Sequence, residues 1–302
     1  MPHILLLSSA EIDENIALND DVVTKLNARL GEACTVEWQN YHNIGLELSR
    51  NQLRAFIVSD GRDLSEFATV YFKSIFRYHE QATAIAETLD FMHVPFVGKE
   101  LRHYIPAYKL SQMARLAKGN VTIPHTLYLP LEHYVPNYDM VVKKLGVPFI
   151  FKAINGSTGD DNYLVKDKAQ LETIAAKTTG MHFIAQKFVP NESDLRVLIV
   201  GGRIGMVIER KRADDSTHLN NTSKGATAHL LPLETLDPAL QELGLRAAEI
   251  MERDVAGVDV MLEKGSGVPY VLEVNASPQI TSGSFEAEKL DLYTEYFKGL
   301  VG

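Results

Sequence analysis

The stretch GVDVMLEKGSGVPYVLEVN, residues 257–275, has the pattern of two strands joined by a turn that contains two glycines. Side chains alternate between the two faces of a strand, so Asp259 lies on the face opposite to its apolar neighbours. In the return strand the same alternation puts Glu273 and Asn275 together on the polar face. A turn centred on Ser266 pairs Asp259 with Glu273. The sequence therefore predicts a hairpin with two carboxylates directly opposite each other.

Two facing carboxylates on one sheet face repel each other unless a cation lies between them. Mg²⁺ suits such a place because it binds carboxylate and amide oxygens together with water and phosphate oxygens. A polar face on which Lys or Arg neighbours meet the two carboxylates is the competing interpretation. The hairpin alone leaves both open.

Upstream, the stretch FIFKAINGSTGDDNYLV, residues 149–165, predicts two strands around a glycine-containing loop. The first strand ends near Lys152, and the loop carries Ser157 between two glycines. Backbone N–H groups and hydroxyls of such a loop can bind phosphates while a lysine neutralises them. The motif matches neither a Walker A loop nor a G-x-G-x-x-G turn, so an ordinary hairpin turn with a surface lysine remains an alternative.

Two arginines lie in a second predicted hairpin, strands 195–200 and 203–210 joined by Gly201-Gly202. Arg196 and Arg210 can pair with carboxylates structurally, or their forked donors can stabilise an anionic transition state. Lys211, Arg212 and Lys224 in the polar loop that follows could form a recognition surface. Beyond it, Asp237 and Pro238 predict the start of a helix.

The first 105 residues predict a small open α/β sheet, with strands at 3–8, 53–58, 69–73 and 95–98 separated by helical stretches. A helix at 100–118 opens a central unit, residues 106–188. A C-terminal unit, residues 189–302, contains the two hairpins with Arg196 and Asp259.

Composition narrows the functional classes. The 302 residues are 45% apolar and 23% charged, as in ordinary globular proteins, and the net charge of −9 argues against a nucleic-acid partner. The only cysteine, Cys34, cannot form an internal disulfide, and the longest N-terminal apolar run, residues 4–7, is too short to cross a membrane. We therefore expect a cytoplasmic protein without a membrane partner.

Taken in chain order, residues 183–210 and 255–278 resemble the ATP-grasp superfamily, and within it the RimK-like branch. The resemblance implies an α/β fold of the α+β ATP-grasp type: a leading α/β sheet, a central lid and a C-terminal antiparallel sheet. ATP would lie between the last two units. The implied cofactors are ATP as a substrate and Mg²⁺ or Mn²⁺.

The resemblance also implies roles for individual residues. Those near the nucleotide are Lys109, Lys152 and Ser157 at the phosphates, Gln186, Lys187 and Phe188 at the adenine, Asp194 at the ribose, and Asn220 and Asn221 in a polar loop. The implied metal ligands are Asp259, Glu273 and Asn275, and the implied catalytic arginines are Arg196 and Arg210. The sequence departs from the family pattern at Lys187, where Glu is usual, at Gln279, where Gly is usual, and at Asp160 and Asp161 in the phosphate loop.

The activity that the resemblance implies is ATP-dependent ligation of a carboxylate and an amine through an acyl phosphate. An amino acid such as glutamate would be added to a peptide, protein or amino-acid acceptor. Two alternatives are a peptide-modifying ligase that makes ester or side-chain amide macrocycles and a non-catalytic nucleotide-binding regulator. A dinucleotide enzyme is disfavoured because the first strand ends in Ser8-Ser9-Ala10 rather than in a glycine-rich turn. A homo-oligomer is compatible with all of these.

Overall fold

The computed structural model describes residues 1–50, 52–103, 108–156, 161–212 and 226–302. Its N-terminal unit is built on a four-stranded parallel sheet in the order β2-β1-β5-β6. The strands of this sheet are β1 (His3–Ser8), β2 (Thr35–Gln39), β5 (Thr69–Ser74) and β6 (Phe96–Val97). The helices α1 (Asp13–Leu30) and α2 (His79–Phe91) pack on it, as the sequence predicts for an open α/β sheet.

The predicted strand at 53–58 lies outside this sheet. It is β4 (Gln52–Ile57), and it pairs antiparallel with β3 (Ile44–Ser49) in a separate two-stranded hairpin. The reason is the short connection between the two, because neighbouring antiparallel strands need only a tight turn whereas parallel strands need a crossover. Ala55 and Ile57 of β4 are nevertheless buried in the core beside α2.

The central unit is a four-stranded antiparallel sheet in the order β7-β10-β8-β9. Its strands and helices are β7 (Thr126–Tyr128), α4 (Leu131–Tyr134), α5 (Tyr138–Leu145), β8 (Phe149–Ala153), β9 (Asn162–Val165), α6 (Lys168–Lys177) and β10 (Phe183–Lys187). Phe151 and Phe183 stack in its core with ring centroids 4.5 Å apart. The antiparallel pairing of β8 with β9 confirms the predicted hairpin.

The C-terminal unit is a five-stranded antiparallel sheet in the order β13-β12-β11-β14-β15. Its elements are β11 (Ser193–Val200), β12 (Arg203–Lys211), β13 (Thr227–Leu231), α7 (Pro238–Ile250), β14 (Val255–Leu262), β15 (Pro269–Asn275) and α8 (Glu286–Val301). Asp237 caps α7 by accepting a hydrogen bond of 2.8 Å from the Ala239 amide, which confirms the predicted helix start. β13 and α8 are additional to the elements that the sequence predicts.

The hairpin β14–β15 pairs Asp259 with Glu273, which confirms the predicted register at that point. Beyond this pair the register shifts, and Val260 pairs with Val271 instead of Leu272. Leu272 is therefore the extra residue of a β-bulge. Strict alternation predicts that Leu272 faces the core, but the bulge buries Val271 in its place.

Two further helices, α3 (Lys109–Lys118) and α8, lie beside more than one of these units. The helix predicted at 100–118 begins later, since the described part is a 3₁₀ turn at Lys99–His103 followed by α3 (Lys109–Lys118). The sequence has a proline at position 106, and proline disfavours a continuous helix over 100–118. At the other end of the chain, Leu290 and Phe297 of α8 share one hydrophobic cluster with Leu26 of the N-terminal unit. None of the helices in the described ranges is long and apolar enough to cross a membrane.

Candidate active site

One face of the C-terminal sheet carries a row of charged side chains on four neighbouring strands. Asp194 and Arg196 are two residues apart on β11 and therefore share a face. Arg210 of β12 pairs with Asp194, while Asp259 of β14 pairs with both Arg196 and Glu273. The register of the antiparallel sheet thus brings these five residues into one row. The other face of the same strands carries apolar side chains that form the core under α7.

The row is held by short ion pairs. Arg196 donates to both oxygens of Asp259, from Nε to Oδ1 and from Nη2 to Oδ2, each at 2.7 Å. Arg210 donates from Nε to Asp194 Oδ1 at 2.6 Å, and its Nη2 lies 3.2 Å from Asp259 Oδ2. Both aspartates are only 5% exposed. Such charge-assisted forks fix the positions of the side chains.

Burial and the neighbouring arginines act oppositely on the two aspartates. The two guanidinium groups hold the pKa of Asp259 well below its usual range despite burial. Burial raises the pKa of Asp194, and the charge of Asp259 raises it further, while the pairing with Arg210 lowers it. At neutral pH the row therefore contains a firmly ionised Asp259 beside a more basic Asp194.

Glu273 and Asn275 lie next to this network at the end of β15. Asn275 Nδ2 donates to Glu273 Oε1 at 3.1 Å and to the Gly257 carbonyl at 3.3 Å. A carboxylate offers about four lone-pair sites. Arg196 and Arg210 use three of them on Asp259, whereas Asn275 uses one on Glu273.

This donor set fits a magnesium ion that keeps water and phosphate ligands. Glu273 has more lone pairs free for a metal ion than Asp259 has, and the side-chain carbonyl oxygen of Asn275 is a further hard ligand. No group of three His, Cys, Asp or Glu side chains suited to a metal occurs in the part of the chain that the structure describes. Two carboxylates and an amide therefore make up the available set, and the arginines supply part of the positive charge that the facing carboxylates require.

Lys152 of β8 faces this row from the central unit. Its neighbours Phe151 and Ala153 point into the core, so Lys152 points to the other face, where it is 8% exposed. No ion pair or hydrogen bond joins its ammonium to another residue within the described ranges. Burial lowers the pKa of Lys152 to about 8; Glu273 and Asp259 raise it, and Lys109 lowers it. Two cations and an acidic pair therefore lie close enough to influence one another.

Lys109 begins α3, and its ammonium donates to the Gly156 carbonyl of the glycine loop. One turn later on the same helix, Gln112 Oε1 accepts a hydrogen bond of 2.9 Å from the Val274 amide. The Val274 carbonyl accepts from the buried Arg253 side chain. Val274 lies between Glu273 and Asn275. The side chains of Gln112 and Arg253 therefore grip, by hydrogen bonds to both its backbone groups, the strand that carries these two residues.

The three residues expected at the adenine are placed differently from one another. Gln186 is buried and donates to Thr126 Oγ1 at 2.7 Å, so its side chain points into the central unit. Lys187 is exposed and lies 3.7 Å from Glu263 of the β14–β15 hairpin. Phe188 follows the end of β10 and is partly exposed.

Several expected site residues lie outside the described residues. They are Ser157, Asp160, Asn220, Asn221 and Lys224, together with the boundary expected between residues 105 and 106.

A family model described as the RimK-like ATP-grasp domain matches residues 107–296, which include the charged row, both lysines and the gripped strand. The chain belongs to the RimK-like ATP-grasp family. A probable alpha-L-glutamate ligase of Aeromonas salmonicida (strain A449) is 26% identical over 223 residues, 72% of this chain and 72% of that protein. The ribosomal protein bS6–L-glutamate ligase of Escherichia coli (strain K12 / DH10B) is 29% identical over 175 residues, 56% of this chain and 55% of that protein.

Solved structures agree on the fold over nearly the whole chain. The ATP-grasp ligase PsnB, complexed with a phosphomimetic variant of its minimal precursor, Mg and ADP, has a TM-score of 0.70 at 15% identity, covering 99% of this chain and 98% of PsnB. D-alanyl-alanine synthetase A from Vibrio cholerae has a TM-score of 0.69 at 16% identity, with coverage of 99% and 97%. The predicted ATP-grasp fold is confirmed, and membership of the RimK-like family makes the chain an ATP-dependent ligase that forms carbon–nitrogen bonds.

Proposed function

We propose that this ligase uses ATP and Mg²⁺ to join the carboxylate of one substrate to an amine through an acyl phosphate, and that it transfers glutamate to a peptide or protein. The observation that carries the proposal is the facing of Lys152 and the charged row across the two sheets. Glutamate is supported by the two relatives named as glutamate ligases. A cytoplasmic location stays a prediction.

The proposed role of each site residue follows from its charge. Lys152 and Lys109 would neutralise the ATP phosphates, because two neighbouring ammonium groups need an anion between them. Glu273 and Asn275, with Asp259, would hold the magnesium ion, which supplies positive charge at the β- and γ-phosphate oxygens. Arg196 and Arg210 lie beside this place and would stabilise the negative charge that develops on the acyl phosphate and the tetrahedral species.

The test of this function is substrate-dependent release of ADP. The purified protein is incubated with ATP, Mg²⁺ and single amino acids, with and without peptide acceptors, and the products are examined by mass spectrometry. We expect ADP release with glutamate and a product that is heavier by glutamyl residues. A product that has lost water without gaining an amino acid would indicate a macrocycle or ester, and nucleotide binding without any turnover would indicate a regulator.

Lys152 predicts a pH dependence of nucleotide binding. Its pKa of about 8 means that the ammonium loses its proton as the pH rises through that value, while below it the charge is present. Bound phosphate favours the charged form, so affinity falls above pH 8. We expect ADP to bind about tenfold more weakly at pH 9 than at pH 7, measured by titration calorimetry.

Lys152→Met isolates this effect. The variant is expected to bind ADP more weakly at pH 7, by about 1.5–3 kcal/mol for one charge-assisted contact. Its ADP affinity should also change much less between pH 7 and pH 9 than that of the wild type. Lys166→Met removes an exposed lysine from the same unit and should behave like the wild type. An unchanged affinity and pH profile in Lys152→Met would show that Lys152 does not meet the nucleotide.

A further inference from the structure

Lys289 is a buried positive charge without an ionic partner in the described ranges. It lies in the first turns of α8 and is 5% exposed. Its ammonium donates to the Ser282 carbonyl, and no carboxylate oxygen of a described residue lies within 4 Å of it. Burial is the main cause of a lowered pKa for Lys289, and the charges of Glu286 and Glu288 offset part of this effect. A buried ammonium whose hydrogen-bond partner among the described residues is a carbonyl is costly unless a ligand supplies the opposite charge.

The loop in front of α8 places this ammonium beside the charged row. The loop, residues 276–285, runs from Asn275 to the start of the helix. Next to it, a side chain built at Gly257 would lie 3.5 Å from Arg196 Cδ and 3.6 Å from Pro278 Cβ, so this loop passes close to Arg196. The charge of Arg196 contributes to the lowered pKa of Lys289. Two cations from different elements therefore lie at one edge of the site.

The two cations differ in how far they are already neutralised. Arg196 directs its fork onto Asp259, and this pairing already occupies its Nε and Nη2 donors. Lys289 has three donors, of which the Ser282 carbonyl takes one. Beside Ser282, the Thr281 hydroxyl is buried and has no hydrogen-bond partner in the described part of the chain. Thr281 directly precedes Ser282, whose carbonyl binds the ammonium, so the unused donors of Lys289 and the unsatisfied hydroxyl belong to one short stretch. Hydrogen-bond donors of this kind suit a carboxylate.

We propose that Lys289 and the Thr281 hydroxyl form a subsite for the second carboxylate of a dicarboxylic amino acid, the one that is not activated by ATP. This rests on the proposed function and adds to it the residue that would select an acidic substrate. A carboxylate at this place neutralises Lys289 and accepts the hydrogen bonds that its ammonium has to spare. A neutral amide at the same place leaves the buried charge unpaired, so glutamine is rejected relative to glutamate.

The test compares the binding of L-glutamate and L-glutamine by titration calorimetry, in the presence of ADP and Mg²⁺. We expect the wild type to favour glutamate at least tenfold. Lys289→Met should bind both amino acids with similar affinity and Lys289→Arg should keep most of the preference, while the affinity for ADP stays unchanged in both. Lys298→Met, which removes a partly exposed lysine that is paired with Glu295 on the same helix, is the matched control.

Each outcome decides the proposal. A preference for glutamate that persists in Lys289→Met overturns it, and so does a wild type that binds glutamine as well as glutamate or binds neither. Lys289→Met should melt no earlier than the wild type because an uncompensated buried charge is removed. If it melts early instead, Thr281→Val, which deletes only the unpartnered hydroxyl, must still weaken glutamate binding. Ligation of a monocarboxylic amino acid would overturn this subsite while leaving the proposed ligase function intact.

Discussion

Glu273→Gln is expected to lower turnover at least ~10²–10³-fold while the protein stays folded. The substitution keeps the shape of the side chain but removes the charge that faces Lys152 and that would bind the magnesium ion. It also relieves the repulsion between Glu273 and Asp259. We therefore expect a melting temperature close to that of the wild type, and the loss should lie in catalysis and in the metal dependence of binding.

Titration calorimetry separates these effects. In the wild type Mg²⁺ should strengthen the binding of ADP, and in Glu273→Gln this gain should largely disappear. Glu242→Gln removes an exposed carboxylate on α7 and serves as the control. Turnover of Glu273→Gln within tenfold of the wild type, or an undiminished effect of Mg²⁺, would contradict the assignment of Glu273.

Arg210→Gln is expected to cost about 3–5 kcal/mol of stability, because it leaves two buried aspartates with one cation fewer. Arg210 is the partner of Asp194 at 2.6 Å and lies 3.2 Å from Asp259. If Arg210 also stabilises the developing charge of the reaction, turnover per folded molecule should fall by a further ~10²-fold. The two losses are read separately as the melting temperature and as kcat at a temperature where the variant is folded.

The stability loss should depend on pH in a defined direction. An acid whose pKa is higher in the folded protein than in the unfolded chain destabilises the fold at high pH, and this penalty shrinks as the pH falls from the folded pKa towards the unfolded pKa. Burial already raises the pKa of Asp194, and removal of Arg210 raises it further. The deficit in melting temperature should therefore be largest near pH 8 and smaller near pH 5.

The control for this variant is Arg203→Gln, at the exposed start of the same strand. It is expected to match the wild type in melting temperature and turnover. An Arg210→Gln protein that melts early but retains near-normal turnover would show that Arg210 is a structural residue alone.

Local sequence signals predicted much of the site. The alternation in residues 257–275 and the glycines of the turn place Asp259 opposite Glu273, and the structure has this pair. The prediction holds only because the bulge at Leu272 makes up for a turn that is shorter than expected. A bulge of this kind depends on how the strand packs against its neighbours, which alternation alone does not encode.

Other features had no local signal. Gln112, Arg253 and Lys289 each lie among other polar residues, so the sequence does not single them out, and the partners of the first two are backbone atoms of a distant strand. Their positions follow from the packing of α3, α7 and α8 on the C-terminal sheet. The helix α8 itself has an apolar face that is shared between two units, so its place depends on the assembled fold.

The grip on β15 has a consequence for how the molecule meets other chains. β15 is an edge of the five-stranded sheet, and an exposed edge offers free amide and carbonyl groups to any strand that approaches. Here the Val274 amide and carbonyl are held by side chains, and the Val271 amide donates to the Thr122 carbonyl at 2.9 Å. Along this stretch the edge is closed to strand addition. The same contacts that orient Glu273 and Asn275 thus protect this part of the β15 edge against edge-to-edge aggregation, and an extended peptide acceptor must reach the site without pairing with that part of β15.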